Sequence, residues 1–435
     1  MPRAIVEIDE HAPPGDVLRL KPSANLVTGE AQFRQSFGQP TTLETDICTM
    51  ASAVYACDLA FKRGQRERIA RDIELTVPVT NIHAFNNVLE QIQYALLILG
   101  HDAWRIHFAT RSGIPEPSVK WPRNGSGKVL LFSGGLDSFA AAVALGESGG
   151  PVHLVSHVTA NPTVSGAQLS LFQYIQSRYL LQFDRIAFRV GGRTRPAQDF
   201  PFPSDTDRED TQRTRSFLFL ALAALAARRL GTPDIVYLAE NGQMAIHLPL
   251  TAARIGAFST HTAHPELVHV MGELLSDLLT YPIRIENPFL YTTKAEAIRP
   301  VIDRHPEMIG TTLSCWRTLR TPGGARHCGC CVPCLVRRIA LEANGFAHER
   351  YQRDIFTEDV AGLPPDDDAK RNLIDLAEFV RALENSPSQA ALETAFPDLV
   401  NPFIDSERAV AMYLRFAAEA RLVFGKHPSI RELAV

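Results

Sequence analysis

The run Lys128-Val129-Leu130-Leu131-Phe132-Ser133-Gly134-Gly135-Leu136-Asp137-Ser138 decides how the middle of this chain folds. Val129 to Phe132 reads as a short apolar strand, and an alanine-rich helix starts at or just before Ser138 and continues to Leu145. Between them, Gly134 and Gly135 let the backbone come close to a ligand. The N–H groups at the helix start, with the helix dipole behind them, favour an anion such as phosphate. Ser133 and Ser138 add hydroxyl donors, whereas Asp137 repels phosphate and serves either to hold a magnesium ion or to fix the turn. A glycine turn whose serine and aspartate merely cap a helix is the plain alternative, and the full six-residue pattern outweighs it. Gly127-Lys128 imitates a Walker A loop without completing it. Pro122 stands where its first glycine belongs, and Val129 where a Ser or Thr follows the lysine.

Downstream of this run, apolar strands at Val152 to Val155, near Arg185 to Val190 and at Asp234 to Ala239 alternate with helices near Leu169 to Leu181 and from Arg215. That alternation predicts an α/β domain over residues 126–345, a Rossmann-like parallel sheet with helices on both faces. The longest apolar run, Phe217 to Ala227, is far short of the roughly 20 residues that cross a bilayer, and Arg228 and Arg229 close it; it reads as a buried core helix. Upstream, residues 1–120 read as a mixed α+β accessory module. Ile73 to Val79 alternates like a strand, which Pro78 places at a sheet edge, and Val88 to Leu99 is spaced like an amphipathic helix. Turn formers from Ser112 to Ser118 and from Pro122 to Gly127 mark a linker. Residues 346–435 read as a helical C-terminal extension, broken by Gly362-Leu363-Pro364-Pro365-Asp366-Asp367-Asp368.

Composition narrows the function. With 45% hydrophobic and 21% charged residues, the chain is that of an ordinary soluble globular protein. A net charge of -4 lacks the basic excess of a dedicated nucleic-acid binder, and acidic residues near Met1 occupy the place of a signal peptide's apolar stretch. Of seven cysteines, five fall between Cys315 and Cys334, which suits a metal site in a reducing cytoplasm better than a disulfide framework. Cys315, Cys328, Cys331 and Cys334 supply four thiolates for a tetrahedral zinc, and four protein ligands leave no open position, so the ion is structural. Cys330 is free to replace a neighbour, and an iron–sulfur cluster is the minority alternative. Cys48 and Cys57 read as buried apolar residues. Glu240-Asn241-Gly242, at a strand end, lies in the usual ligand crevice of an open parallel sheet. His261 and His264 lie three apart in the polar segment Ser259 to Pro265, placed either to line the pocket as acid–base groups, to share a metal, or simply to be solvated.

Ser133 to Ser138 resembles the signature of the PP-loop ATP pyrophosphatases, which implies a HUP-type fold and attack on the α-phosphate of ATP with release of pyrophosphate. Together with the cysteines, Arg215 opening the long apolar helix, Asn287-Pro288-Phe289 and Thr293-Lys294-Ala295-Glu296, it is similar to the 7-cyano-7-deazaguanine synthase family over residues 128–345. The resemblance implies ATP, Mg2+ and Zn2+ as cofactors and a deazapurine substrate. It gives Ser133, Gly134, Gly135, Leu136, Asp137 and Ser138 the nucleotide, and Lys294 and Arg215 phosphate charge, against a surface lysine and an ordinary ion pair. Asn161 to Gly166 departs from the family pattern. So do Glu240, Asn241 and Gly242, and Thr260, His261, Thr262 and His264, which stand where the family recognises the base and are assigned to the substrate. With modules added at both ends, the chain resembles the synthase-like proteins of bacterial anti-phage operons, including the Qat system. That implies a ligase joining a deazaguanine to an operon-encoded partner protein. A biosynthetic synthase, a tRNA thiolase and a non-catalytic nucleotide sensor are the competing readings.

Overall fold

Val129 and Leu131 turn to one side of the central sheet and Leu130 and Phe132 to the other, and this alternation sorts the helices into two layers. The computed structural model describes residues 1–7, 17–22, 24–64, 70–112, 127–159, 161–179, 182–193, 199–231, 235–251, 261–317, 326–347, 349–386 and 388–431. The expected linker falls almost wholly at 113–126, outside them.

The N-terminal region opens with β1 (Arg3–Val6), β2 (Val17–Leu20) and β3 (Leu26–Thr28), then α1 (Glu30–Phe37) and α2 (Thr42–Ala60). It continues with β4 (Asp72–Val79), α3 (Ile82–Asn87), α4 (Leu89–Gly100) and β5 (Ala103–Thr110). Its four-stranded sheet runs β2-β1-β4-β5, parallel throughout. Pro78 therefore lies in an interior strand and not at the expected edge. The reason is register. The Glu74 N–H donates to the Pro2 carbonyl, so even-numbered residues of β4 face β1, and pairing with β1 stops at Thr76. The missing N–H of Pro78 points past the end of its neighbour's pairing, where no ladder bond is lost.

The central sheet takes β6 (Lys128–Leu131), α5 (Leu136–Glu147), β7 (Val152–His157), α6 (Pro162–Arg178) and β8 (Phe183–Phe188), then β9 (Val190–Gly192) and α7 (Arg215–Leu230). After these come β10 (Ile235–Tyr237), α8 (Gly242–Ile246), α9 (Pro265–Leu279), β11 (Arg284–Glu286) and α10 (Lys294–Arg304). Its strands, ordered β11-β10-β6-β7-β8, are all parallel. The order reverses between β6 and β10, and in open parallel sheets ligands bind outside the strand ends at such a switch point. Asn161-Pro162 is a helix-start signal, an N-cap whose side chain accepts from the Thr163 N–H followed by proline at the first helical position. The segment expected as one strand near Arg185 to Val190 is split: β8 stays in the sheet, and β9 leaves it to pair antiparallel with β3.

The core helix is buried as expected, with Phe217, Leu218 and Leu220 to Ala227 all but inaccessible and Phe219 partly buried. Its alanines admit α2 closely, so one apolar cluster joins the N-terminal region to the α7 and α9 face of the central sheet. A second cluster unites Ile246 and Leu248, the cysteine segment, α11 (Val332–Ala343), α12 (Asp368–Glu384) and α14 (Ser406–Phe424), with α13 (Gln389–Ala395) between the last two. Among the described residues no helix is long and apolar enough to cross a membrane.

Candidate functional site

The segment after β6 forms a turn whose own hydroxyls hold it. Ser133 Oγ accepts from the Gly135 N–H at 3.2 Å, Ser138 Oγ donates to the Gly135 carbonyl at 3.0 Å, and the two hydroxyls lie 3.2 Å apart. Gly134 has φ +82°, and a Cβ there would sit 3.0 Å from Gln168 Cγ, so both its conformation and the close approach require glycine. Gln168, fully buried on α6, fixes the turn from behind by donating to the Ser133 and His157 carbonyls, each at 3.2 Å; its own oxygen accepts from Arg185 at 3.1 Å. On the other flank the Leu313 N–H donates to the Gly134 carbonyl at 3.0 Å.

Asp137, in the first turn of α5, points into the switch point. Lys294, the first residue of α10, places Nζ 2.7 and 2.8 Å from its two carboxylate oxygens, and both side chains are only 7% exposed. Lys294 is therefore no surface lysine. Asn241, fully buried as N-cap of α8, donates Nδ2–H to Asp137 Oδ2 at 2.7 Å and to Glu240 Oε1 at 3.0 Å. Burial alone would raise the Asp137 carboxyl; the Lys294 ammonium and hydrogen bonds from Glu240, Lys294 and Asn241 hold it below the ordinary carboxylate range. Burial and the Asp137 charge push the Glu240 carboxyl well above that range. Two carboxyls and one ammonium thus share a single knot whose two acids are driven in opposite directions. Asn287 clamps the Glu240 backbone, donating to its carbonyl at 2.7 Å and accepting its N–H at 3.2 Å.

Arg215 opens α7 with its guanidinium 4.9 Å above the Phe219 ring and its Nε buried without a hydrogen-bond partner. Burial and the Arg215 charge push the neighbouring His157 imidazole down to about 4. Gly242 packs against the Leu290 carbonyl and Met412.

The substrate residues assigned from sequence separate into two groups. Glu240 and Asn241 are at Asp137. His261 and His264 lie at the other end of α8, where His261 stands 5.0 Å from the His264 ring, 5.5 Å from His101 and 6.5 Å from His247. No contact among the described residues joins these imidazoles to Asp137 or Lys294. His264 is the N-cap of α9 and accepts from the Glu266 N–H. Thr262 is half-buried, and Thr260 lies outside the described residues. Burial first, then the neighbouring His261, pushes His247 and His264 down to about 4.

The thiols of Cys315, Cys328, Cys331 and Cys334 all lie within 4.8 Å of one another, with Cys328 to Cys334 at 3.9 Å and Cys331 to Cys315 at 4.0 Å. Sulfurs around a tetrahedral ion at a Zn–S length of about 2.3 Å stand about 3.8 Å apart, so the four can hold a metal. Cys330 is outside the quartet, its thiol turned to the Cys328 carbonyl. Gly329 (φ +78°) passes so near the Arg353 carbonyl that a Cβ would lie 1.9 Å from its oxygen. Among the described residues these cysteines are the one metal-competent group of three or more such side chains, and the histidine cluster is not one.

Gln168, Gln243 and Leu313 were missed by sequence reasoning. Each reaches the site across tens of residues, and no local pattern marks it. A scan against protein-family models and a search of curated proteins both return no match for this chain.

Lys294→Met should cost about 3 kcal/mol in urea unfolding, because it strands a buried carboxylate, and Asp137→Asn in the same chain should restore most of that loss. The buried neutral histidines give a second expectation. A group with depressed pKa contributes stability that is complete above the unfolded value of 6.5 and is lost as pH falls toward about 4. Replacing His247 and His264 by Asn, which accepts both the left-handed cap and the N-cap role, should reduce the proton uptake on unfolding in that window by roughly two.

Proposed function

We propose that this chain is an ATP-dependent ligase of the PP-loop type that adenylates a deazapurine acid or amide and passes it to an amine of a partner protein. The observation that carries the reading is the meeting of the Ser133–Ser138 turn with Asp137, Lys294, Glu240 and Asn241 at the switch point of the sheet. In this reading the α5 N-terminus and the two serine hydroxyls bind the triphosphate. Lys294 and Arg215 offset its charge, Arg215 with a guanidinium nitrogen still to be satisfied.

Both Asp137 oxygens are committed to Lys294 and Asn241, which fits a residue that fixes the turn and orients Lys294 better than a magnesium ligand. Mg2+ would enter on the nucleotide's own phosphate oxygens. A substrate oxygen attacks the α-phosphorus, the bond to the bridging β-phosphate oxygen breaks, and pyrophosphate leaves with that electron pair. An amine nitrogen then displaces AMP from the activated carbon and loses its proton. Glu240, half-buried beside Asn241 and with its carboxyl raised by burial and the Asp137 charge, is the group this reading assigns to donate a hydrogen bond to the bound base or to the leaving phosphate.

The cysteine quartet fits a structural Zn2+, held by thiolates with no position left for substrate. Leu313, two residues before Cys315, is bonded to Gly134, so an ion there would brace the phosphate turn. Purified protein should carry one tightly bound zinc per chain by elemental analysis. Cys328→Ser should lose it together with several kcal/mol of stability; metal-free protein of unchanged stability would remove the ion from this account.

The activity test combines protein, Mg·ATP, a deazapurine acid or amide and each operon-neighbour protein, with and without an ammonium salt as nitrogen source, reading pyrophosphate and intact partner mass. Conjugation predicts a partner mass gain matching the base. Lys294→Met and Asp137→Ala should reduce turnover at least a hundredfold, in line with loss of a transition-state charge contact. Pyrophosphate with free nitrile and an unmodified partner would make the chain a biosynthetic synthase, and binding without turnover would make it a sensor.

A further inference from the structure

Helix α14 reaches the site from the C-terminal extension, and its grip falls on the two residues that flank Lys294 in structure. Thr293 is the N-cap of α10 and forms a capping box with Glu296: Thr293 Oγ1 accepts from the Glu296 N–H at 3.1 Å, and Glu296 Oε2 accepts from the Thr293 N–H at 2.8 Å. Helix α14 holds both halves of that box. The Thr293 hydroxyl donates to Glu419 Oε1 at 2.7 Å, and Arg415 Nε donates to Glu296 Oε1 at 2.6 Å. Arg415 and Glu419, four residues apart, share one helix face.

A second hold comes one turn earlier. Tyr413, 1% exposed, donates its hydroxyl to the Gln243 carbonyl at 3.4 Å and accepts the Leu248 N–H at 3.3 Å. Gln243 in turn accepts the backbone N–H of Lys294 on its side-chain oxygen at 3.1 Å. Met412 packs on Gly242, beside the Asn241 that bonds Asp137. The Arg415 to Glu296 pair is exposed enough to contribute little. The weight therefore rests on the less exposed contacts: Tyr413 and Thr293 are all but inaccessible, and Glu419 is half-buried, with its carboxyl pushed up to about 7 by burial.

We propose that Glu419 and Tyr413 of the C-terminal extension are positioning residues that lock the start of α10, and with it Lys294, onto Asp137. The proposal rests on the ligase reading for its consequence in turnover, but the lock itself is a property of the fold. It makes the extension part of the site and gives anything that moves α14 a direct route to the phosphate-binding lysine.

The test reads Lys294 directly. Full-length protein is pulsed with an amine-reactive ester and Lys294 acylation is followed by peptide mass spectrometry, alongside pyrophosphate release from Mg·ATP. In Tyr413→Phe and Glu419→Ala the labelling rate of Lys294 should rise about fivefold to tenfold, as local opening becomes easier. Glu419→Gln, which keeps an acceptor for Thr293, should return it near the wild-type rate. The same Gln variant should also lose a pH effect. A carboxyl raised to about 7 contributes stability that is complete below the ordinary carboxylate range and is lost as pH rises through 7. If Glu419→Ala unfolds, Tyr413→Phe decides. Unchanged Lys294 labelling in a folded Tyr413→Phe or Glu419→Ala variant overturns the lock, whether or not turnover falls. Increased labelling in a protein that never turns over ATP upholds the lock and removes the ligase reading alone.

Discussion

A buried lysine and a buried aspartate, each 7% exposed, face one another across the switch point of the sheet, and the surrounding structure is arranged around keeping them together. Taking two charges out of water costs several kcal/mol per ion, and the mutual attraction repays that only when geometry is good and the remaining polar atoms are satisfied. Both conditions hold. Lys294 reaches both oxygens of Asp137, and Asn241 fills one of the remaining acceptor positions. A second carboxyl, Glu240, shares the same knot, its ionisation opposed by burial and by the Asp137 charge. A hydrophobic pair of similar volume would be at least as stable at such a place, so stability alone does not account for the ion pair.

Three supports from distant parts of the chain converge on this pair and on the turn beside it. Gln168 fastens the Ser133 carbonyl from α6. Leu313 pairs with Gly134 just before the cysteine quartet, so the metal-competent cysteine segment and the glycine turn share a backbone hydrogen bond. From the C-terminal extension, α14 grips the cap of α10 and, through Gln243, the backbone of Lys294 itself. The N-terminal region contributes differently. It shares an apolar core with α7, sends β3 to pair with β9, and anchors the start of α7 where Arg215 stands, Asp58 of α2 accepting from the Thr214 N–H at 2.9 Å. The chain's outer regions are thus structural parts of the site's frame.

Much of this was legible in the sequence because its causes are local. The apolar strand before Ser133, the glycines of the turn and the alanine-rich helix follow from patterns a few residues long, as does the core helix closed by Arg228 and Arg229. The cysteine spacing predicted a quartet, and only the exclusion of Cys330 needed the structure. What stayed hidden depends on register or on long-range contact. Pro78 reads as an edge signal until the pairing of β1 is known to stop at Thr76. Lys294 follows a capping residue, a position usually solvated, and nothing near it shows that Asp137 lies opposite. His261 and His264 looked like pocket residues because they are polar and paired, yet their partners are His101 and His247, supplied by two other helix ends. Short strands such as Arg284–Glu286 carry too few residues to register an alternation at all.

The proposed role of the Asp137 and Lys294 knot as a nucleotide-phosphate site is open to calorimetry, with the magnesium complex of a non-hydrolysable ATP analogue titrated into the protein. Binding to the wild-type chain should saturate and should weaken about tenfold or more in a folded Lys294→Met, Asp137→Asn variant, the effect of losing one buried charge contact of about 1.4 kcal/mol or greater. Absence of binding to the wild-type chain, or equal affinity in the variant, would contradict it.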